Sequence, residues 1–240
     1  MDTVDANIRF AIATHWESFV AGVQSLSSSV DIRPPDITFN LFPFDENEQT
    51  SNFELRPVVL VLPERADHTE TNLHVVVSGT ISIDRDHFQE HKTLRTVKFQ
   101  TRVAYFRLKP AAGVLEHVYG AHYDYEANAA AHPVFHSQVK SFADMRVHIN
   151  GYDDLQFQDH LERILTRVRV PTAQMDFFSL VVQLVADHLI SAASGESEIE
   201  IFLALINKSK NVQGAGHLIP RLGTEPAIQC YRAAHWYPDN

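Results

Sequence analysis

Between Tyr119 and Asn150 the chain reads YGAHYDYEANAAAHPVFHSQVKSFADMRVHIN, which gathers His122, Asp124, Glu126, His132, His136 and His148 into one short stretch. Imidazole and carboxylate together are the usual material of general acid–base catalysis, and equally of divalent-metal sites. The HxxxH spacing of His132 and His136 resembles a zincin pair, but that chemistry needs a helix and a Glu directly after the first His. Here Pro133 follows His132. On an extended strand, residues i and i+4 lie about 13 Å apart, too far to share one ion. A shared site must therefore be built across strands.

Period-two alternation shows how. In YGAHYDYE, Tyr119, Ala121, Tyr123 and Tyr125 point one way and His122, Asp124 and Glu126 the other. In PVFHSQVK, Phe135 and Val139 oppose Val134, His136, Gln138 and Lys140. In MRVHIN, Met145, Val147 and Ile149 oppose Arg146, His148 and Asn150. A meander of three such strands brings the polar faces together. A loop near 127–131 sets Glu126 opposite His132 and His122 opposite His136, or slips by a residue or two, and ladder neighbours lie about 4.5–5.5 Å apart. In this arrangement His132 and His136 act as acid, base or ligands, with His122 beside them. Glu126 and Asp124 orient them or bind a metal, and Arg146 holds an anion next to His148. The plain alternative is the wet face of a half-exposed sheet, which must carry polar residues in any case.

The elements that position this stretch follow from the periodicities on either side. Ile8, Ile12, Trp16, Phe19, Val20, Val23 and Leu26 recur at three- and four-residue steps, which predicts an amphipathic helix over 3–27. Pro34 and Pro35 follow it. From about 36 to 150 the runs ITFNLF, FELRPVVLVL, LHVVVSGTISI, RTVKFQTRVAYFRL and GVLEHVYGAHYDYE are rich in β-branched and aromatic residues. Their short, turn-like separators favour antiparallel pairing over helical crossovers. HFQEH, with His87 and His91, falls between two of these runs and reads as a solvated turn.

After Gly151 the pattern turns helical. DLQFQDHLERILTRV is followed by Pro171, with Thr172 as the expected cap of a very apolar helix over about 173–193, and then by SEIEIFLALINKSK. On the apolar helix Asp176, Ser179, Gln183 and Asp187 form one stripe, either its solvent side or buried groups that need partners such as the histidines, Arg146 or Arg169. The expected fold is α+β: an N-terminal helix, a mainly antiparallel sheet over about 36–150, and C-terminal helices packed on the sheet. We expect one domain over 1–240, with 151–240 as its helical part.

Composition bounds the function classes. The net charge of −10 argues against a broad nucleic-acid surface, although RVRVP (167–171) with Arg146 makes a local basic patch. Cys230 is the only cysteine, which excludes an intrachain disulfide and a thiolate zinc site. No apolar run is long enough to span a bilayer and the N-terminus lacks a signal-peptide pattern, so no membrane and a cytoplasmic location are expected. No Walker loop, GxGxxG, GxSxG or CxxC occurs. Fourteen histidines in 240 residues is the unusual number.

The run HYDYE-x5-HPVFHSQ, with RVPTAQMD and an apolar helix after it, resembles a family of bacterial proteins of uncharacterised activity. It is also similar to TumE-like toxins of toxin–antitoxin pairs at Tyr123–Asp124, His132 and His136. That similarity implies a defence or toxin-type setting. The expectation is a hydrolase-type enzyme with a His/carboxylate site on the sheet, acting on a phosphate ester or nucleotide, with a divalent metal left open. The rival is a non-enzymatic module that meets a protein partner or a second copy of the chain. A pH-responsive assembly, driven by histidine titration, is a third class.

Overall fold

The structure, a computed structural model, describes residues 3–27, 30–33, 39–41, 49–63, 72–125, 135–149, 151, 154–159, 168–172 and 174–213. One sheet carries these residues. Its strands are β1 (Asp31–Arg33), β2 (Phe39–Leu41), β3 (Thr50–Pro63), β4 (Asn72–Asp84), β5 (Thr96–Lys109), β6 (Val114–Tyr125), β7 (Phe135–Val139), β8 (Gln156–Asp159) and β9 (Arg169–Pro171). The spatial order is β1-β3-β4-β5-β6-β7-β9, with β2 also on β3 and β8 also on β6. All pairs are antiparallel except β6–β8. The helices are α1 (Thr3–Leu26), α2 (Arg85–His91), α3 (Phe177–His188) and α4 (Glu196–Gln213). The fold is α+β, as the periodicities imply.

Alternation along the long central strands gives the sheet two faces. The helical face buries Leu60 and Leu62 of β3, Val75, Val77, Ile81 and Ile83 of β4 and Val103 of β5 against Ile8, Ile12, Trp16 and Phe19 of α1 and Phe178, Val181 and Leu184 of α3. Each of these large side chains contributes roughly 1.5–3 kcal/mol by leaving water. Rings interlock α1 and α3: Trp16 with Phe177 at 5.2 Å and Phe19 with Phe178 at 5.1 Å between centroids. The opposite face has a smaller core of Val59, Val76, Ala104, Phe106 and Leu115, covered by Met145 and Ile149.

Four local expectations change. Ala143–His148 is a 3-10 helix, not a third strand. Met145 and Ile149, four residues apart, both reach the smaller core, and that spacing is helical as much as it is alternating. Gln156–Asp159 is a strand, not part of a helix. β7 covers β6 only along Ala121–Tyr125, which leaves Val114–His117 with open ladder positions for β8, and the remainder of that expected helix, 160–167, lies outside the described residues. HFQEH belongs to α2, whose N-cap Asp84 accepts from the His87 amide at 3.0 Å. Thr172 does not cap the apolar helix; its N–H donates to Phe135 O at 3.1 Å beside the sheet edge. Asp176 is the cap, with Oδ1 accepting from the Phe178 and Ser179 amides at 2.9 and 3.1 Å.

Candidate functional site

His122 and Asp124 are two residues apart on β6, so both point to the face opposite α1 and α3. β7 pairs with β6 two residues off the simplest hairpin register, which places His136 directly opposite Asp124 and Gln138 opposite His122. The two-residue slip preserves the face and so converges the three groups. His122 Nε2 lies 2.9 Å from Asp124 Oδ2, and His136 Nε2 lies 3.9 Å from the same oxygen. The imidazole rings meet edge to face at 6.0 Å between centroids.

The cluster is sunk into the molecule. The side chains of His122 and His136 are 6% and 1% exposed, and that of Asp124 is 19% exposed. The carboxylate is therefore the most exposed member of the three. Burial pushes the Asp124 carboxyl up. The hydrogen bond and charge of His122, joined by the Gln100 amide and His136, outweigh it and hold the carboxyl below the usual carboxylate range. Asp124 is thus an anion at neutral pH, shared by two imidazoles.

Ladder partners extend the site sideways, since directly opposed residues share a face. One row across the sheet runs Glu54, Thr80, Gln100, Asp124, His136. The next runs Ser78, Arg102, His122, Gln138, Arg169. The Arg102 guanidinium donates to Gln100 Oε1 at 2.8 Å, which leaves the Gln100 amide nitrogen free to serve Asp124. Arg102, directly opposite His122, and Arg169, opposite Gln138 on the other side, are cations that this face offers to an anion.

Of the expected site residues, His122, Asp124 and His136 come together. Glu126 and His132 lie outside the described residues, as does Cys230. Arg146 and His148 do not join the cluster, because the strand that was to carry them is the 3-10 helix. The Arg146 guanidinium lies 5.2 Å from the centre of the Phe157 ring on β8. His148 lines a groove between that helix and β3–β5, with Glu54, Ser78, Thr80, Arg102 and Asp144. It approaches the site only through Arg102, the partner of His122.

Gln100 and Arg102 escaped the reading of the sequence. The signal was present, since both alternate with Phe99, Thr101 and Val103 on β5, but only the β5–β6 register aligns them with Asp124 and His122. The stripe on α3 does not supply the site. Asp176 is fully buried at the helix N-terminus with backbone amides as partners, while Gln183 donates to Asp187 at 2.8 Å on the exposed side. His117, also buried, packs against the Phe106 and Phe157 rings at 5.3 and 6.0 Å. On the helical face behind β6, burial raises the Tyr105, Tyr119 and Tyr123 hydroxyls, that of Tyr123 to about 12. They stay neutral near pH 7 and offer hydrogen bonds rather than proton transfer.

Two imidazoles on one ionised carboxylate can orient and deprotonate a water, hand a proton to a leaving group, or ligate a metal through three donor atoms. Comparison of the chain with protein-family models, with curated proteins and with solved structures gave no match.

Proposed function

We propose that the protein is a hydrolase-type enzyme acting on a phosphate ester or nucleotide, with its reacting centre at His122, Asp124 and His136. The observation that carries this reading is the approach of two nearly inaccessible imidazoles to Asp124 Oδ2, with Asp124 the most exposed of the three. A buried ionised carboxylate is costly to maintain, and such arrangements concentrate where proton chemistry is done. One imidazole takes a proton from water as the water oxygen bonds to phosphorus. The P–O bond to the leaving group breaks, and the other imidazole, protonated, gives its proton to that leaving oxygen. Arg102 and Arg169 take the charge on the non-bridging oxygens. With a net charge of −10, the molecule attracts an anion only through such a local pair of cations. The resemblance to TumE-like toxins supports a bacterial defence or toxin-type setting.

The test is turnover of a panel of phosphomonoesters, phosphodiesters and nucleotides by the purified full chain. Asp124→Asn and His136→Ala are expected to lose at least about 100-fold in kcat/KM, in the range of one catalytic acid or base. Arg146→Ala, away from the cluster, retains wild-type turnover. No turnover on any member of the panel, or undiminished turnover in Asp124→Asn, would sink the reading.

A second reading, an interaction module, has one observation in its favour. Val168, just before β9, and Val170 within it are 49% and 47% exposed at the last strand of the described sheet order. A partner or a second copy adding to that edge would bury them. Sedimentation of the full chain, alone and with co-purifying proteins, separates a lone catalyst from such a module.

A further inference from the structure

We propose that His122, Asp124 and His136 hold a divalent first-row transition-metal ion, ligated by both Nε2 atoms and by the Asp124 carboxylate, with water in the remaining positions. The proposal uses the same cluster as the hydrolase reading but makes a separate claim about what activates the water.

The geometry carries it. Ligand atoms about 2.1 Å from a tetrahedral or octahedral ion sit about 3.0–3.4 Å from one another. The three donor atoms here lie within 4.8 Å of one another, with Asp124 Oδ2 at 2.9 Å from His122 Nε2 and 3.9 Å from His136 Nε2. Closing that triangle around an ion takes side-chain shifts of about an ångström and no change in the backbone. Both Nε2 atoms lie near Asp124 Oδ2, and the three Cα positions are set by the β6–β7 ladder. The second carboxylate oxygen, Asp124 Oδ1, is buried and accepts no hydrogen bond among the described residues. That leaves it free lone pairs for a second bond to the ion.

Charge and donor type narrow the ion. A dication at the cluster reverses the sign of the Asp124 carboxylate charge in this poorly solvated site. The resulting positive centre suits a bound hydroxide or a phosphate oxygen. Two nitrogens and one carboxylate select zinc, manganese, iron or cobalt over magnesium and calcium, which prefer all-oxygen sites. Gln100, held by Arg102, is the outer neighbour that fixes the ligating carboxylate. His87 and His91, the other close pair with rings 4.5 Å apart, lie on α2, where His87 Nε2 engages Thr93 Oγ1 at 3.0 Å and His91 is half-exposed. Among the described residues no third donor atom lies close enough to both to complete a three-ligand group.

The experiment is calorimetric titration of the metal-stripped full chain with Zn2+, and with Co2+ to read its visible absorption on binding. One ion per chain is expected, with a dissociation constant of about 1 μM or tighter. Asp124→Asn, nearly isosteric and able to keep the fold, and His136→Ala each weaken that binding by at least about 100-fold. His91→Ala and His148→Ala bind as the wild type does. Wild-type affinity weaker than about 100 μM, or binding undiminished in Asp124→Asn, overturns the proposal. Zinc binding without hydrolysis of any substrate leaves the metal site standing and sinks the hydrolase. Hydrolysis that persists after exhaustive chelation does the reverse.

Discussion

Asp124 is the residue on which the others depend. Its carboxylate stays ionised against burial because His122 and Gln100 donate to it, and Gln100 is itself held by Arg102. Arg102 therefore has two jobs, steadying the amide that serves Asp124 and presenting charge beside His122. Substituting Arg102 by Ala is expected to raise KM for an anionic substrate by about tenfold, the cost of one charge-assisted contact, with a smaller change in kcat. Steady-state kinetics on a charged and a neutral ester separates the two effects. An equal loss on both esters would assign Arg102 a purely structural role. His15 makes the opposite use of burial. It sits on α1 against the Phe178 ring at 4.9 Å, and burial lowers its pKa from 6.5 to about 4, against a hydrogen bond to the Lys208 backbone that raises it. The unfolded chain therefore binds a proton that the folded one refuses. Stability is complete above about pH 6.5 and falls as pH drops toward 4. After allowance for partial solvation the loss is on the order of 2 kcal/mol. Denaturant melts of wild type and His15→Leu at pH 7 and pH 4.5 should show a smaller acid loss in the variant.

At the level of elements, the site exists because three strands approach closely at fixed register. Gly79 on β4 lies under β5, and a Cβ there would stand 2.1 Å from Gln100 O. Gly79→Ala therefore pushes β5 away at the residue that supports Asp124. We expect a cost of roughly 2–4 kcal/mol together with lost site function. Thermal melts and activity should fall together, and a variant as stable as wild type would contradict the packing. Gly120 plays the same part where the chain leaving β7 crosses β6. Its added Cβ would meet Lys140 O at 2.4 Å, and Gly120 O accepts from the Lys140 amide at 2.8 Å. This crossing turns 141–149 onto the smaller core as a 3-10 helix instead of a further strand. It also explains why Arg146 and His148 leave the site. The slip in β3 between Leu55 and Val58 has a local cause in Pro57, which has no N–H to give the ladder.

For the molecule as a whole, the sheet is clamped to its helices by a few polar ties at the ends of the apolar layer. Asp5 near the start of α1 accepts from Ser51 Oγ of β3 at 2.6 Å and from the Arg85 guanidinium of α2 at 3.0 Å. The end of α4 is fastened by Thr96 Oγ1, which donates to Val212 O at 2.9 Å, and Lys208 Nζ donates to Ser18 O at 3.0 Å. Asp5→Ala removes the acceptor shared by the Arg85 guanidinium and the buried Ser51 hydroxyl. The expected cost is roughly 2–3 kcal/mol, or about 5–10 °C in Tm. Because Asp5 lies on the helical face, metal binding and turnover per folded molecule should not change. No helix among the described residues is long and apolar enough to cross a membrane.

Alternation and helical periodicity are local properties of the chain, and they were enough for the α+β class, the span of α1, the four long strands β3–β6 and the face on which His122, Asp124 and His136 lie. The sequence by itself also narrowed the hairpin register to within two residues. Tertiary structure alone decided the rest. Whether Asp124 meets His136 or another partner depends on which ladder pairs form, and that is a competition between strands distant in sequence. Gln100 and Arg102 reach the site only through β5–β6 pairing. Met145 and Ile149 fit a strand or a helix equally well until a particular apolar surface, Val76, Phe106 and Leu115, is there to receive them. The chemistry of this protein was written in residue types, and its convergence in long-range register.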